Sequence, residues 1–148
     1  MRVTRRFQFC AGHRVFQHES KCAHPHGHNY VLFATFEPLE AEHPLDPIGR
    51  VIDFSVIKDV LGMWIDTEWD HGFIYSNKDL EMCEVFNEGS ASLKWNSYVM
   101  EENPTAENMA AHLINEVCPQ LFKGLGVVCT EITLWETENC SATVRLKP

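Results

Sequence analysis

The hydrophobic period of this chain changes twice along its length, and that limits the folds open to it. At the start, "RVTRRFQFCAGHRV" alternates, with Phe7, Phe9, Ala11 and His13 on one side of an extended strand and Gln8 and Cys10 on the other. A second strand, "HNYVLFATFEP", runs into the Pro-rich loop "EHPLDPIG", and Val51 to Asp53 can extend the sheet briefly. The period then becomes helical. Phe54, Ile57, Val60, Leu61, Trp64 and Ile65 form one apolar stripe, read as core, with Asp53 or Ser55 as cap. A second helix begins in "NPTAENMAAHLINEVC". There Thr105 is the cap, Glu107 suits the positive N-terminal end, and Met109, Leu113, Ile114 and Val117 form the buried stripe. Pro119 is expected to stop it. "VVCTEITLWET" and "SATVRLK" close the chain as two more strands around an "ENC" turn.

The order strand, strand, helix, long middle segment, helix, strand, strand predicts an α+β fold, a four-stranded antiparallel sheet with two helices on one face. No internal repeat or linker divides it, so residues 1–148 are read as a single domain. The stretch from Gly72 to Asn103 is the least regular. Within it "DLEMCEVF" suits a short helix and "LKWNSYVM" an extra strand.

Composition excludes several classes of function. Of 148 residues, 45% are hydrophobic and 22% charged, the balance of a globular domain with a real core. No run approaches the ~18 apolar residues of a membrane span, and the basic start "MRVTRRFQF" lacks a signal-peptide core, so a cytoplasmic protein without membrane contact is expected. A formal charge of −9 argues against nucleic acid as partner, and any grip on phosphate must be local. The six cysteines show no CxxC spacing and are read as reduced, with Cys10, Cys118 and Cys129 as small core residues.

Chemistry concentrates in "KCAHPHGHNY", Lys21 to Tyr30. His26 and His28 stand two apart, so on a strand both project from the same face. His13, ending the neighbouring strand, can meet them. Three neutral imidazoles suit Zn2+, and three ligands leave the open position of a catalytic rather than a structural site. Gly27 between them adds no side chain to crowd the metal. His24 is a competing ligand, whereas His18, His43 and His112 read as surface residues. Cys22 lies in a polar loop, which favours a reactive thiol over an inert core cysteine, and Lys21 beside it favours the thiolate.

Taken in order, "FCAGH", "CAHPHGHNY", "GRVIDFSVIKDVL", "WDH", "NPTAENMA" and "LWET" resemble the family of 6-pyruvoyl-tetrahydropterin and 6-carboxytetrahydropterin synthases over nearly the whole chain. The resemblance implies the tunnelling fold, a ββααββ unit whose sheets join across subunits into a barrel, and a homohexamer built as a dimer of trimers. It implies zinc held by His13, His26 and His28, and 7,8-dihydroneopterin triphosphate as the small-molecule substrate. Cys22 is similar to the family's thiol base, and Asp70 and His71 to its Asp-His proton relay. Glu136 resembles its pterin anchor, which can also share in proton relay, and Thr105 falls in the pterin pocket.

Cys22 is followed by three residues before "HGH", where pyruvoyl-forming members typically have five. This gap resembles the carboxy-forming branch of queuosine biosynthesis. The pyruvoyl branch, and a non-catalytic metal- or pterin-binding protein of the same fold, are the alternatives. The chain departs from the family after its DH, in "DHGFIYSNKD", and at Ala106. Residues 72–103 read as an insertion between two catalytic motifs that can reshape the triphosphate end of the pocket. Arg14, Lys21 and Lys78 are the candidate phosphate contacts.

Overall fold

The computed structural model describes residues 1–87 and 95–146 and arranges six strands in one sheet, in the order β4-β3-β1-β2-β5-β6. Strands β1 (Val3–His13) and β2 (His26–Pro38) pair antiparallel along their length, with Phe9 opposite Tyr30 and His13 opposite His26. Strand β5 (Val127–Thr137) pairs antiparallel with the other side of β2, and β6 (Cys140–Arg145) with β5. These are the four antiparallel strands expected from the alternation.

The expectation of a four-stranded sheet is corrected by two further strands from the middle segment, one of which falls in "LKWNSYVM" where an extra strand was expected. Strand β3 (Gly72–Ser76) runs parallel to β1 over Ala11 to His13, and β4 (Ser97–Met100) runs parallel to β3. The sheet is therefore mixed. A parallel pair needs a crossover, supplied here by helix α3 (Leu80–Asn87). "GFIYS" escaped detection because it is largely buried on both faces and a five-residue apolar run carries no period. Positions 88–94 of the expected insertion, and Lys147 at the end of the expected last strand, lie outside the described residues.

Both long helical stripes form, each interrupted by one π-helical turn. The first runs through α1 (Phe54–Ile57), a π turn at Lys58–Gly62 and α2 (Met63–Glu68), capped by the Asp53 carboxylate on Ser55 N at 2.8 Å. The second runs through α4 (Ala106–His112), a π turn at Leu113–Val117 and α5 (Cys118–Leu121). Pro119 does not stop this helix as expected. The π turn resets the hydrogen bonding, so that Pro119 falls in the first turn of α5, where a missing N–H is tolerated. Val51 to Asp53 form bends rather than strand.

Ile57, Leu61 and Ile65 from the first helical run, and Met109, Leu113 and Ile114 from the second, bury against one face of the sheet. That inner face presents Phe9, Ala11, Tyr30, Leu32, Ile132 and Leu134. Phe54, at the head of the expected stripe, stays half exposed. Helix α3 departs from the one-face arrangement, because its Phe86 stacks on Phe73 and Tyr75, which point to the outer face. His112 is no surface residue: its ring lies against Trp69 and its Nε2 is 2.7 Å from the Tyr98 hydroxyl. Among the described residues no helix is long and apolar enough to cross a membrane.

Candidate metal centre

Strand alternation places His13 on the inner face with Phe9 and Ala11, and His26 and His28 there with Tyr30. Register then brings them together, since His13 pairs with His26 and Ala11 with His28. One ring nitrogen from each of the three lies within 4.8 Å of the others. Two backbone carbonyls decide which nitrogens face inward. His13 Nδ1 donates to Pro104 O at 2.7 Å, and His26 Nδ1 donates to His24 O at 2.7 Å. The Nε2 atoms of both rings are then lone pairs, and they stand 3.1 Å apart. Two acceptors so close repel unless a cation lies between them.

Burial strengthens the same reading. It lowers the His13 pKa to about 4, helped by the neighbouring His26 and His28 and opposed by the bond to Pro104, so the ring is neutral at pH 7. His28 is likewise lowered by burial, against the nearby Glu136 carboxylate that favours its charged form. Its Nε2 is buried without a hydrogen-bond partner. An orphaned buried nitrogen beside two inward lone pairs is a donor set that fits a first-row cation such as zinc, with the carbonyl bonds fixing ring orientation from outside. His24 supplies only its carbonyl while its ring stays exposed, so it is not the competing ligand considered above.

Glu136 joins this centre by strand alternation, following Ile132 and Leu134 on the inner face of β5, beside β2. The pairing of β5 with β6 slips between Trp135 and Thr137, leaving Glu136 as the extra residue of a bulge. Its carboxylate stands 3.4 Å from His28 Nε2, beside a groove of about 700 Å³ lined by Gly27, Val31, Phe33 and Trp135. Thr105 caps α4 as expected, its hydroxyl accepting from Asn108 N at 3.2 Å. Cys22 lies in a one-turn 3-10 helix, Lys21–Ala23, within the loop joining the two ligand strands. Its carbonyl accepts from Val15 N at 2.8 Å and its thiol is half-buried.

Asp70 and His71 sit elsewhere. Asp70 Oδ2 lies 2.9 Å from His71 Nδ1, while its Oδ1 accepts from Cys10 N at 2.8 Å. His71 takes a left-handed φ of 56°, rare outside glycine, and is held there by donating its N–H to Cys10 O at 2.7 Å. Its imidazole is 81% exposed and lines a hollow of about 380 Å³ that reaches Ala11 and His28 at its floor but is flanked by the outer-face residues Cys10, Gly12, Gly27 and Asn29. Within one chain the Asp-His pair therefore opens on the face opposite the three imidazoles.

Two expectations need correcting. Cys10 is not a core residue; it is exposed on the outer face, its thiol donating to Asn29 Oδ1 at 2.8 Å, whereas Cys118 and Cys129 are buried. Arg14 is not free for phosphate, because it forms a fork on the buried Asp79 and also binds Glu81 at 2.8 Å. Lys78 is paired with Glu102 at 2.7 Å. The hollow of about 580 Å³ that the middle segment builds beside His71 is apolar, lined by Phe73, Met82, Val85, Phe86 and Trp95. Sequence reading also missed the Pro104 carbonyl, since a backbone acceptor leaves no mark in residue type.

Comparison with known proteins agrees with this arrangement. The profile of the 6-pyruvoyl tetrahydropterin synthase family matches residues 2–147. The chain is 42% identical over 144 residues to the 6-carboxy-5,6,7,8-tetrahydropterin synthase of Rickettsia felis, covering 97% of this chain and 99% of that one. It is 30% identical over 133 residues to a probable enzyme of the same name from Halobacterium salinarum, covering 86% and 78%. Among solved structures, an uncharacterized protein from Wolinella succinogenes superposes with a TM-score of 0.81 at 23% identity, over 99% of this chain and 98% of that one. The Caenorhabditis elegans 6-pyruvoyl tetrahydropterin synthase gives 0.66 at 21% identity, over 99% and 96%. The fold is thus shared with these structures, and the chain belongs to the 6-pyruvoyl tetrahydropterin synthase family.

Proposed function

We propose that this protein is a zinc-dependent 6-carboxy-5,6,7,8-tetrahydropterin synthase, a lyase that converts 7,8-dihydroneopterin triphosphate to carboxytetrahydropterin, acetaldehyde and triphosphate. The observation that carries the reading is the cluster of three inward imidazoles, two oriented by carbonyls and the third left with a buried unpartnered nitrogen. The names of the relatives at 42% identity, and the three residues between Cys22 and "HGH", favour the carboxy-forming reaction over the pyruvoyl-forming one.

His13, His26 and His28 hold the zinc, which supplies a Lewis acid to the adjacent hydroxyls of the substrate side chain. Glu136 accepts the paired N–H groups of the pterin's guanidine-like edge, the geometry of an arginine-carboxylate pair. Thr105 contributes to the same pocket through its hydroxyl, which accepts from Asn108 N as the helix cap and keeps its own O–H to donate. Cys22, as thiolate, takes a proton from the side chain. His71, its Nδ1–H held by Asp70, presents the Nε2 lone pair, which can take up a proton and then pass it on.

The opening of His71 on the outer face supports a closed homo-oligomer, a hexamer of two trimers, in which this face meets a second copy. The apolar lining of the groove by Val31, Phe33 and Trp135 supports it as well. Product analysis tests the reaction: with dihydroneopterin triphosphate, the zinc-loaded protein should yield triphosphate and trappable acetaldehyde in equal amounts. Triphosphate without acetaldehyde would assign the pyruvoyl reaction instead.

A further inference from the structure

The loop that carries Cys22 is held at its root by a single side chain. Leaving His13, the chain turns through Gln17 in the left-handed region, at a φ of 65°, and returns by the 3-10 turn at Lys21–Ala23. Val15 N donates to Cys22 O at 2.8 Å, so the backbone position of Cys22 depends on where residues 15 and 16 stand. Asn103 fixes that position. Its Oδ1 accepts from Phe16 N at 2.8 Å and its Nδ2 donates to Phe16 O at 2.9 Å, satisfying both backbone groups of one residue. Among the described residues no other side chain from outside the loop bonds to backbone between Val15 and Ala23.

Asn103 is itself rigidly placed. Its carbonyl accepts from Thr105 N at 2.8 Å and from Asn108 Nδ2 at 2.9 Å, which ties it to the cap of α4. The next residue, Pro104, supplies the carbonyl that orients His13. One dipeptide therefore holds a metal-ligating ring with one residue and the thiol loop with the other.

We propose that Asn103 is a positioning residue that couples the metal centre to the Cys22 loop, keeping the thiol in register with the three imidazoles. The inference rests on the proton-transfer role assigned to Cys22 above. Alanine at this position loses both bonds to Phe16. Aspartate keeps the acceptor for Phe16 N but cannot donate to Phe16 O. His13 keeps its bond to Pro104 in either case.

The test compares zinc-loaded wild type, Asn103→Ala and Asn103→Asp by the rate of iodoacetamide alkylation at each cysteine, read by peptide mass spectrometry. Zinc per chain and steady-state kinetics are measured alongside. Losing two net-stabilising hydrogen bonds at the root of a loop should raise Cys22 alkylation by on the order of tenfold in Asn103→Ala and by less in Asn103→Asp. Zinc content and the alkylation rate of exposed Cys140 should stay unchanged, and kcat should fall at constant KM. An unchanged Cys22 rate would overturn the proposal. So would a parallel rise at Cys140, which would make Asn103 a general stability residue. Should Asn103→Ala fail to fold, Asn103→Asp carries the same comparison. Full turnover by Cys22→Ala would remove the role of the thiol, yet the alkylation ratio would still decide whether Asn103 holds the loop.

Discussion

Replacing Gly27 by alanine should damage stability and metal binding together, through a contact that neither metal nor ligands make. Gly27 lies between His26 and His28 and pairs with Gly12 on β1. A Cβ at residue 27 would come 2.9 Å from the Ala11 carbonyl oxygen, where ordinary contact begins at 3.4 Å, and that neighbour is backbone. Strands β1 and β2 would have to part by about half an ångström at the point where one carries His13 and the other His26 and His28. Metal-ligand distances tolerate only about 0.2 Å, so zinc affinity should fall roughly tenfold or more. Overpacking of this kind costs about 1–3 kcal/mol, which at a urea dependence of about 2 kcal/mol per molar lowers the unfolding midpoint by roughly 1 M. Gly12→Ala is the control: its Cβ would meet the Phe73 ring at 2.8 Å, a side chain that can give way, so its loss should be smaller on both counts. Urea unfolding of the metal-free proteins and zinc titration against a competing chelator measure the two effects. Wild-type zinc affinity in Gly27→Ala would refute the claim that the spacing of the two strands sets the metal site.

Metal-free protein should lose stability as pH falls from 6.5 toward 4. Over that range His13 takes up a proton in the unfolded chain but resists it when folded, so the unfolded state binds more protons. The total loss from this ring is about 3 kcal/mol, read by urea unfolding at stepped pH, and His13→Gln should flatten the slope. Glu136→Gln should weaken binding of neopterin by roughly 10- to 100-fold, the scale of a charge-assisted hydrogen bond, in isothermal titration with zinc content unchanged. Thr105→Ala removes the cap of α4 and should cost about 1 kcal/mol in unfolding experiments. Cys22→Ala should keep its zinc and lose turnover by about 10² or more.

Much of the fold and of the metal centre was legible in the sequence because it depends on local period. Alternation along β1 and β2 put His13, His26 and His28 on one face with Phe9 and Tyr30, and helical spacing marked Ile57, Leu61, Met109 and Leu113 for burial. Cap chemistry marked Asp53 or Ser55 for the first helix and Thr105 for the second, and the caps are Asp53 and Thr105. The order of the motifs carried the family. What tertiary structure alone decided concerns partners distant in the chain. Strand β3 exists because β1 offers a free edge, and no five-residue apolar run can announce that, whereas α3 and β4 fall in the stretches marked as a short helix and an extra strand. Cys118 packs in the core because helix docking sets its surroundings, whereas the outward face of Cys10, beside Asn29, already followed from the alternation of β1. His13 is oriented by the carbonyl of Pro104, a residue 91 positions away. Period is a property of a single element and survives in its residues, whereas strand partners and backbone acceptors come into being only when elements pack.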